Sequence, residues 1–244
     1  MNQSIKLIFP VVFVSTVLLA CASSPTGRPQ LKLLPESQMS EMGETAFQQI
    51  KQETPITSSA ETQQYVECVA DHLLAELPNP GEWEIQVFEN EAVNAFALPG
   101  GKIGVNTGLL NVAANQHQLA AVVGHEIAHV QANHSNARVS ANYATTASLA
   151  AVQVALGVSG QSGEKGKVLG LLGLGAQYGV LMPYNRSQES EADVLGLELM
   201  AKAGFDPNES VSLWQNMAGL SDNRPPEFLS THPSPESRIE KLNK

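Results

Sequence analysis

Val122-Val123-Gly124-His125-Glu126-Ile127-Ala128-His129 lies inside an Ala-rich apolar stretch and carries the pattern HExxH. At about 100° per residue, two histidines four apart sit roughly 40° apart on one helical face, so both imidazoles can point at a single metal ion. Glu126 follows His125 directly. A carboxylate there is placed to accept a proton from a zinc-activated water, whose pKa the ion lowers to about 7. From Gln116 to Val130 the chain reads as one helix, with Leu119, Ala120, Val122, Val123, Ile127 and Val130 apolar nearly all round, as in a buried helix. Burying two histidines and a glutamate without partners would cost several kcal/mol, and one Zn2+ per chain supplies the partner. The competing reading is a pair of hydrogen-bonded core histidines.

Upstream of this helix the period changes to two. Trp83-Glu84-Ile85-Gln86-Val87-Phe88 alternates as a half-buried strand, and Asn94 to Asn106 reads as two short strands around Pro99-Gly100-Gly101. A small antiparallel sheet is therefore expected next to the HExxH helix. Its edge could hold an extended peptide through backbone hydrogen bonds, or be a plain hairpin. Two amphipathic helices precede it, at about 37–53 and 60–77, with Ser58-Ser59 as a cap. Downstream, residues 139–181 are rich in Ala, Gly and Leu. They read as two small-residue helices joined by a flexible loop at 157–166, packing in the core or forming a mobile or membrane-touching hairpin.

The N-terminus has a different character. Residues 1–20 hold Lys6 followed by the apolar run Leu7 to Ala20, a signal peptide rather than a fold element. It ends Leu18-Leu19-Ala20-Cys21, which resembles the bacterial lipobox and makes Cys21 the lipidated first residue of the mature chain. The alternative is ordinary cleavage after Ala22, giving a soluble periplasmic protein. Ala22 in place of aspartate implies the periplasmic face of the outer membrane, reached through the lipid anchor. Residues 21–36 then form the lipidated N-terminus and a Pro-rich tether, and 37–244 one domain.

Formal charge is −10, and loss of residues 1–20 removes Lys6 and no acid, giving −11. An acidic body excludes nucleic acid as a natural partner and offers no polybasic patch for anionic lipid. Cys68 lies on the second helix as a small buried hydrophobe, or as one half of a disulfide to another chain.

Catalytic zinc takes three protein ligands and leaves a fourth position open. His134, nine residues from His125, lies about 180° round the helix and is set aside as a ligand. The next acidic group is Glu189-Ser190-Glu191-Ala192-Asp193, opening a helix that Gly204 stops. Glu189 and Asp193 share a face while Glu191 points about 200° away. One carboxylate can bind zinc and the other can orient a ligand histidine, or the acids simply favour the helix dipole.

HExxH, ExxAD sixty residues later, the preceding NAFALPGG and GLL, and Thr26-Gly27-Arg28, Thr231-His232-Pro233 and Arg238 toward the ends give a resemblance over nearly the whole mature chain. It resembles the HtpX-like and prenyl-protein-type gluzincin metallopeptidases, in particular their secreted bacterial lipoprotein branch. That resemblance implies zinc ligands His125, His129 and Glu189, catalytic base Glu126 and supporting carboxylate Asp193. It also implies a mostly helical α+β zincin-type domain that cleaves extended or misfolded envelope polypeptides, outer-membrane proteins among them. His232, before Pro233, is a further site candidate: it could polarise a developing oxyanion, plug the open metal position or cap a loop. Rival functions are a latent-site chaperone or assembly factor and a hydrolase of cell-wall peptides.

Overall fold

The computed structural model describes residues 21–155, 184–220 and 227–232. The expectations for the signal peptide, for the loop at 157–166 and the second small-residue helix beyond it, and for Arg238 lie outside these residues. The centre is helix α4, Gln116–Gln131, whose N-cap Asn115 accepts from the backbone N–H of His117 and Gln118. Every residue from Leu119 to His129 except Ala121 is buried. Helix α1 (Glu36–Glu53), helix α2 (Ala60–Ala75) and the short α3 (Thr107–Leu110) precede it. Helix α5 (His134–Ala155) follows after a break at Asn133, which adopts the left-handed φ of 56°. Helices α6 (Arg186–Lys202), α7 (Glu209–Gly219) and α8 (Glu227–Thr231) complete the described residues.

Strand β3 (Glu84–Phe88), β4 (Ala95–Leu98) and β5 (Lys102–Asn106) form a sheet ordered β3-β5-β4. Gly100 and Gly101, at φ 84° and 73°, supply the left-handed turn that makes β4 and β5 antiparallel. Strand β3 pairs parallel with β5, Val87 opposite Val105, so the sheet is mixed where an antiparallel one is expected. Alternating polarity marks a strand but says nothing of its neighbour. The other edge of β3 is covered, with Thr57 N–H donating to the Val87 carbonyl at 3.0 Å and Glu89 N–H to the Pro55 carbonyl at 2.8 Å. Strand β4 therefore lies at the opposite edge, against α4.

Helix α2 buries Val66, Val69, Ala70, Leu73 and Leu74 against α4 and the sheet. Each of the valine and leucine side chains contributes roughly 1.5–3 kcal/mol on burial. Cys68 lies on the opposite face and is exposed, which corrects its reading as a buried hydrophobe. A second cluster, Phe47, Phe88 and Phe96, joins α1 to the sheet. Helices α4 and α6 cross at Gly124 and Gly196, close enough that a Cβ on Gly196 would lie 3.0 Å from His125 N.

Residues 21–35 are ordered against the body, not a free tether. Strands β1 (Cys21–Ser23) and β2 (Pro29–Leu31) pair antiparallel around Gly27, at φ 84°. The side chain of Gln30 donates to the Ala132 carbonyl at 2.9 Å, and Leu33 N–H donates to Ser140 Oγ at 2.8 Å. These partners lie a hundred residues away, which is why Pro-rich composition alone reads as linker. Among the described residues, no helix is long and apolar enough to cross a membrane.

Candidate metal centre

Helix α4 delivers His125, Glu126 and His129 from one buried turn, and α6 delivers Glu189 and Asp193. An Asn185–Gln188 capping box fixes the start of α6, so Glu189 sits in its first turn. His232 arrives just beyond α8, and its backbone N–H donates to the Phe228 carbonyl at 2.9 Å. Ligand atoms of His125, His129, Glu189 and His232 lie within 4.8 Å of one another, all four residues buried, and together they could hold a metal ion.

Spacing is what a metal requires. The Nε2 atoms of His125 and His129 are 3.0 Å apart, and they lie 3.5 and 3.4 Å from the Glu189 carboxylate oxygens. Zinc–ligand bonds of about 2.0–2.1 Å at the tetrahedral angle put neighbouring ligands about 3.3 Å apart. His232 Nδ1 lies 3.2 Å from His125 Nε2 and 3.0 Å from Glu189 Oε1, where a fourth ligand would sit. Glu126 Oε2 accepts the Ala97 N–H at 3.2 Å, while its buried Oε1 has no hydrogen-bond partner. Oε1 is 3.2 Å from His232 Nε2, in an orientation that makes no hydrogen bond. A buried orphan oxygen beside three convergent donors fits a zinc-activated water better than a closed protein core.

Electrostatics follow from burial. Burial raises the Glu126 carboxyl above its ordinary value, against the pull of His232 and His125, which favours a proton acceptor over a permanently ionised group. Burial also holds the His129 imidazole well below its usual range, so it stays neutral and able to ligate. Glu189 feels the same desolvation, but the facing His232, His125 and His129 outweigh it and hold its carboxyl well below the usual value.

His125 and His129 are both oriented from behind. His125 Nδ1 faces Asp193 Oδ1 at 3.2 Å, so Asp193 lies at the far nitrogen of His125. His129 Nδ1 faces a residue set aside in the sequence, His134, at 2.9 Å. Tyr184 stacks on His129 at 3.9 Å between ring centroids, and the Arg138 guanidinium lies 4.0 Å above the Tyr184 ring. Phe228 stacks on His232 at 4.3 Å. Neither Tyr184 nor Phe228 belongs to a motif, and only their aromatic character next to predicted site residues could have flagged them.

Comparison with known proteins agrees with this geometry. The profile of Peptidase family M48 matches residues 58–244. The chain belongs to peptidase family M48. It is 37% identical over 163 residues to the mitochondrial metalloendopeptidase OMA1 of Schizosaccharomyces pombe, covering 66% of this chain and 46% of that one. It is 34% identical over 260 aligned positions to the mitochondrial metalloendopeptidase OMA1 of Bos taurus, covering 99% of this chain and 48% of the other. It is 31% identical over 206 residues to the beta-barrel assembly-enhancing protease of Yersinia pestis, with 81% and 42% covered. The chain thus spans less than half the length of each of these relatives. Its M48 match begins inside the segment between α1 and α2, so the N-terminal hairpin and α1 lie ahead of it.

Proposed function

We propose that this M48 chain is a zinc endopeptidase that cleaves extended or misfolded polypeptides of the bacterial envelope as part of protein quality control. One observation carries the reading: three donor atoms spaced as tetrahedral corners beside a buried, unpartnered Glu126 Oε1. On this assignment His125, His129 and Glu189 hold the ion, and Asp193 fixes the tautomer of His125. Zinc bound there supplies a Lewis acid that activates water and polarises the scissile carbonyl. Glu126 Oε1 takes the proton of the attacking water and returns it to the leaving amine. Its partner oxygen Oε2 stays anchored on the Ala97 N–H, which keeps the carboxylate aimed.

Strand β4 offers the substrate a place. Asn94 accepts from Asn106 N–H, so Asn94, Phe96 and Leu98 face β5 while Ala95 and Ala97 turn their backbone groups to the outer edge. An extended chain added there would pair with the edge groups other than the Ala97 N–H, which Glu126 holds, and would run past the metal ligands with little selection of sequence. The Yersinia pestis relative, named for enhancing β-barrel assembly, extends the proposed substrates to outer-membrane proteins. We place the chain at the periplasmic face of the outer membrane through lipidated Cys21, with a soluble periplasmic protein as the alternative. Release of a Cys21→Ala variant from the membrane fraction, with the parent retained, checks the anchor.

A second reading is favoured by His232 and α8. His232 Nδ1 stands at the fourth corner of the site, and Phe228 N–H donates to the Val93 carbonyl at 3.2 Å, on the outer edge of the chain entering β4. That arrangement suits a latent enzyme, or an assembly factor that binds without cleaving. Cleavage of reduced casein by the mature protein and by Glu126→Gln, with zinc measured in both, separates these readings. Cleavage by the parent alone, with about one zinc in each, supports the peptidase. Zinc in both and cleavage by neither favours latency, and well-folded parent protein without zinc overturns the metal assignment.

A further inference from the structure

His134 stands outside every motif and Glu191 at an unspecified position of ExxAD, yet they continue the site inward. His134 is fully buried, its Nδ1 2.9 Å from His129 Nδ1 and its Nε2 3.1 Å from Glu191 Oε2. Glu191 points away from the metal ligands and is 5% exposed, because the N-terminal hairpin closes over it. Arg28 Nε–H donates to Glu191 Oε2 at 2.9 Å. Thr26 donates twice to Oε1, from its hydroxyl at 2.7 Å and its backbone N–H at 3.3 Å.

Hydrogen-bond bookkeeping gives this chain a direction. Glu191, as a carboxylate, only accepts, so His134 must carry its proton on Nε2 and present a lone pair at Nδ1. His129 Nδ1 facing that lone pair must then be the N–H donor, which leaves His129 Nε2 bare and aimed at His125 and Glu189. The opposite tautomer of His134 would set its bare Nε2 against the Glu191 carboxylate, two acceptors facing each other at 3.1 Å. His125 receives the same instruction in one step from Asp193; His129 receives it in two.

We propose that Thr26 and Arg28 of the hairpin, Glu191 and His134 form a positioning relay that fixes His129 as its Nδ1–H tautomer and thereby sets the zinc affinity of the site. The zinc part rests on the proposed ligand set; the tautomer part does not. The hairpin lies ahead of the M48 match and grips Glu191 through Thr26 and Arg28, so its effect passes through that carboxylate. Carboxylate support of a ligand histidine is worth about 10–100-fold in metal affinity.

The test uses full-length mature protein, with zinc alone as the probe. Two-bond proton–nitrogen NMR correlations of the histidine rings in metal-free protein should show His134 as the Nε2–H and His129 as the Nδ1–H tautomer. In Glu191→Gln, whose side chain can donate as well as accept, that pattern should mix. Zinc dissociation constants, measured by chelator competition, should rise about 10–100-fold in Glu191→Gln. Arg28→Ala and Thr26→Val should each weaken zinc several-fold, with Thr26→Ser restoring the parent value. In the Glu191→Gln background, Arg28→Ala should have no further effect on zinc. A purely structural hairpin would instead lower the melting temperature of every variant and leave zinc affinity and tautomers alone, which overturns the relay. So does an Nδ1–H tautomer at His134 in the parent. A parent protein that shows the expected tautomers but binds no zinc would refute the ligand assignment and keep the orienting chain; if Arg28→Ala fails to fold, Thr26→Val decides.

Discussion

Adding one methyl group at Gly196 tests whether the α4–α6 crossing sets the metal geometry. A Cβ there would lie 3.0 Å from His125 N, 3.1 Å from His125 Cα and 3.2 Å from Gly124 C. Carbon contacts settle at about 3.5–4.0 Å, so α6 must retreat by about 0.5 Å. The atoms in the way are backbone and cannot rotate aside. Asp193 and Glu189 lie three and seven residues before Gly196 on the same face of α6, so both carboxylates move with it. Metal–ligand distances tolerate only about 0.2 Å. Gly196→Ala should therefore weaken zinc at least about tenfold. Overpacking costs about 1–3 kcal/mol, partly offset by about 0.5–1 kcal/mol of helix propensity gained. Gly219→Ala on α7 is the matched control, since nothing lies within 4 Å of its added Cβ and only the propensity gain remains. Urea unfolding of the metal-free proteins and chelator competition for zinc read the two effects. A Gly196→Ala protein as stable as Gly219→Ala and holding zinc as tightly as the parent would refute the reasoning.

Glu126→Gln should lower casein cleavage by a factor of about 100–10,000 while zinc content stays near one per chain; retained cleavage removes Glu126 as the base. His232→Ala should raise the cleavage rate if its Nδ1 plugs the fourth corner, and an unchanged or lower rate discards the plug. Acid should destabilise the metal-free protein in two stages. Burial holds His134 down at about 4 against an unfolded value of 6.5, so the unfolded state binds the extra proton and stability falls from pH 6.5 to 4, by up to roughly 3 kcal/mol. Burial pushes Glu191 up, but hydrogen bonds from Ser24, Thr26, His134 and Arg28 prevail and hold it at about 2, so its contribution is present above pH 4.5 and is lost toward 2. Urea midpoints that stay flat between pH 7 and 4 would contradict the buried, neutral His134.

Helix α4 was readable because its apolar residues and the HExxH spacing are both local signals. The same holds for α6, where the 100° rule put Glu189 and Asp193 on one face and turned Glu191 off it, as found. The rule failed one helix earlier for a specific reason. His134 lies opposite His125 only if the helix is continuous, and Asn133 at φ 56° ends α4 and folds His134 back onto His129. Asparagine is among the few residues that tolerate that conformation, so Ala132-Asn133 held a stop signal. Cys68 was misread as buried although a signal was there: Val66, Val69, Ala70, Leu73 and Leu74 define a stripe from which it stands about 200° away. The parallel partner of β3 and the docked hairpin were not readable, since strand alternation does not say which strand pairs with which and the hairpin's partners lie a hundred residues away.

The order in which the centre's parts leave the ribosome has its own consequence. A growing chain completes His125, Glu126 and His129 first, and Glu189 only sixty residues after His129. Until α6 exists, two histidines and a base face each other with no third donor, too few to hold zinc for catalysis. On the proposed ligand set, the site stays short of its third donor until the helix sixty residues beyond the HExxH turn has been made.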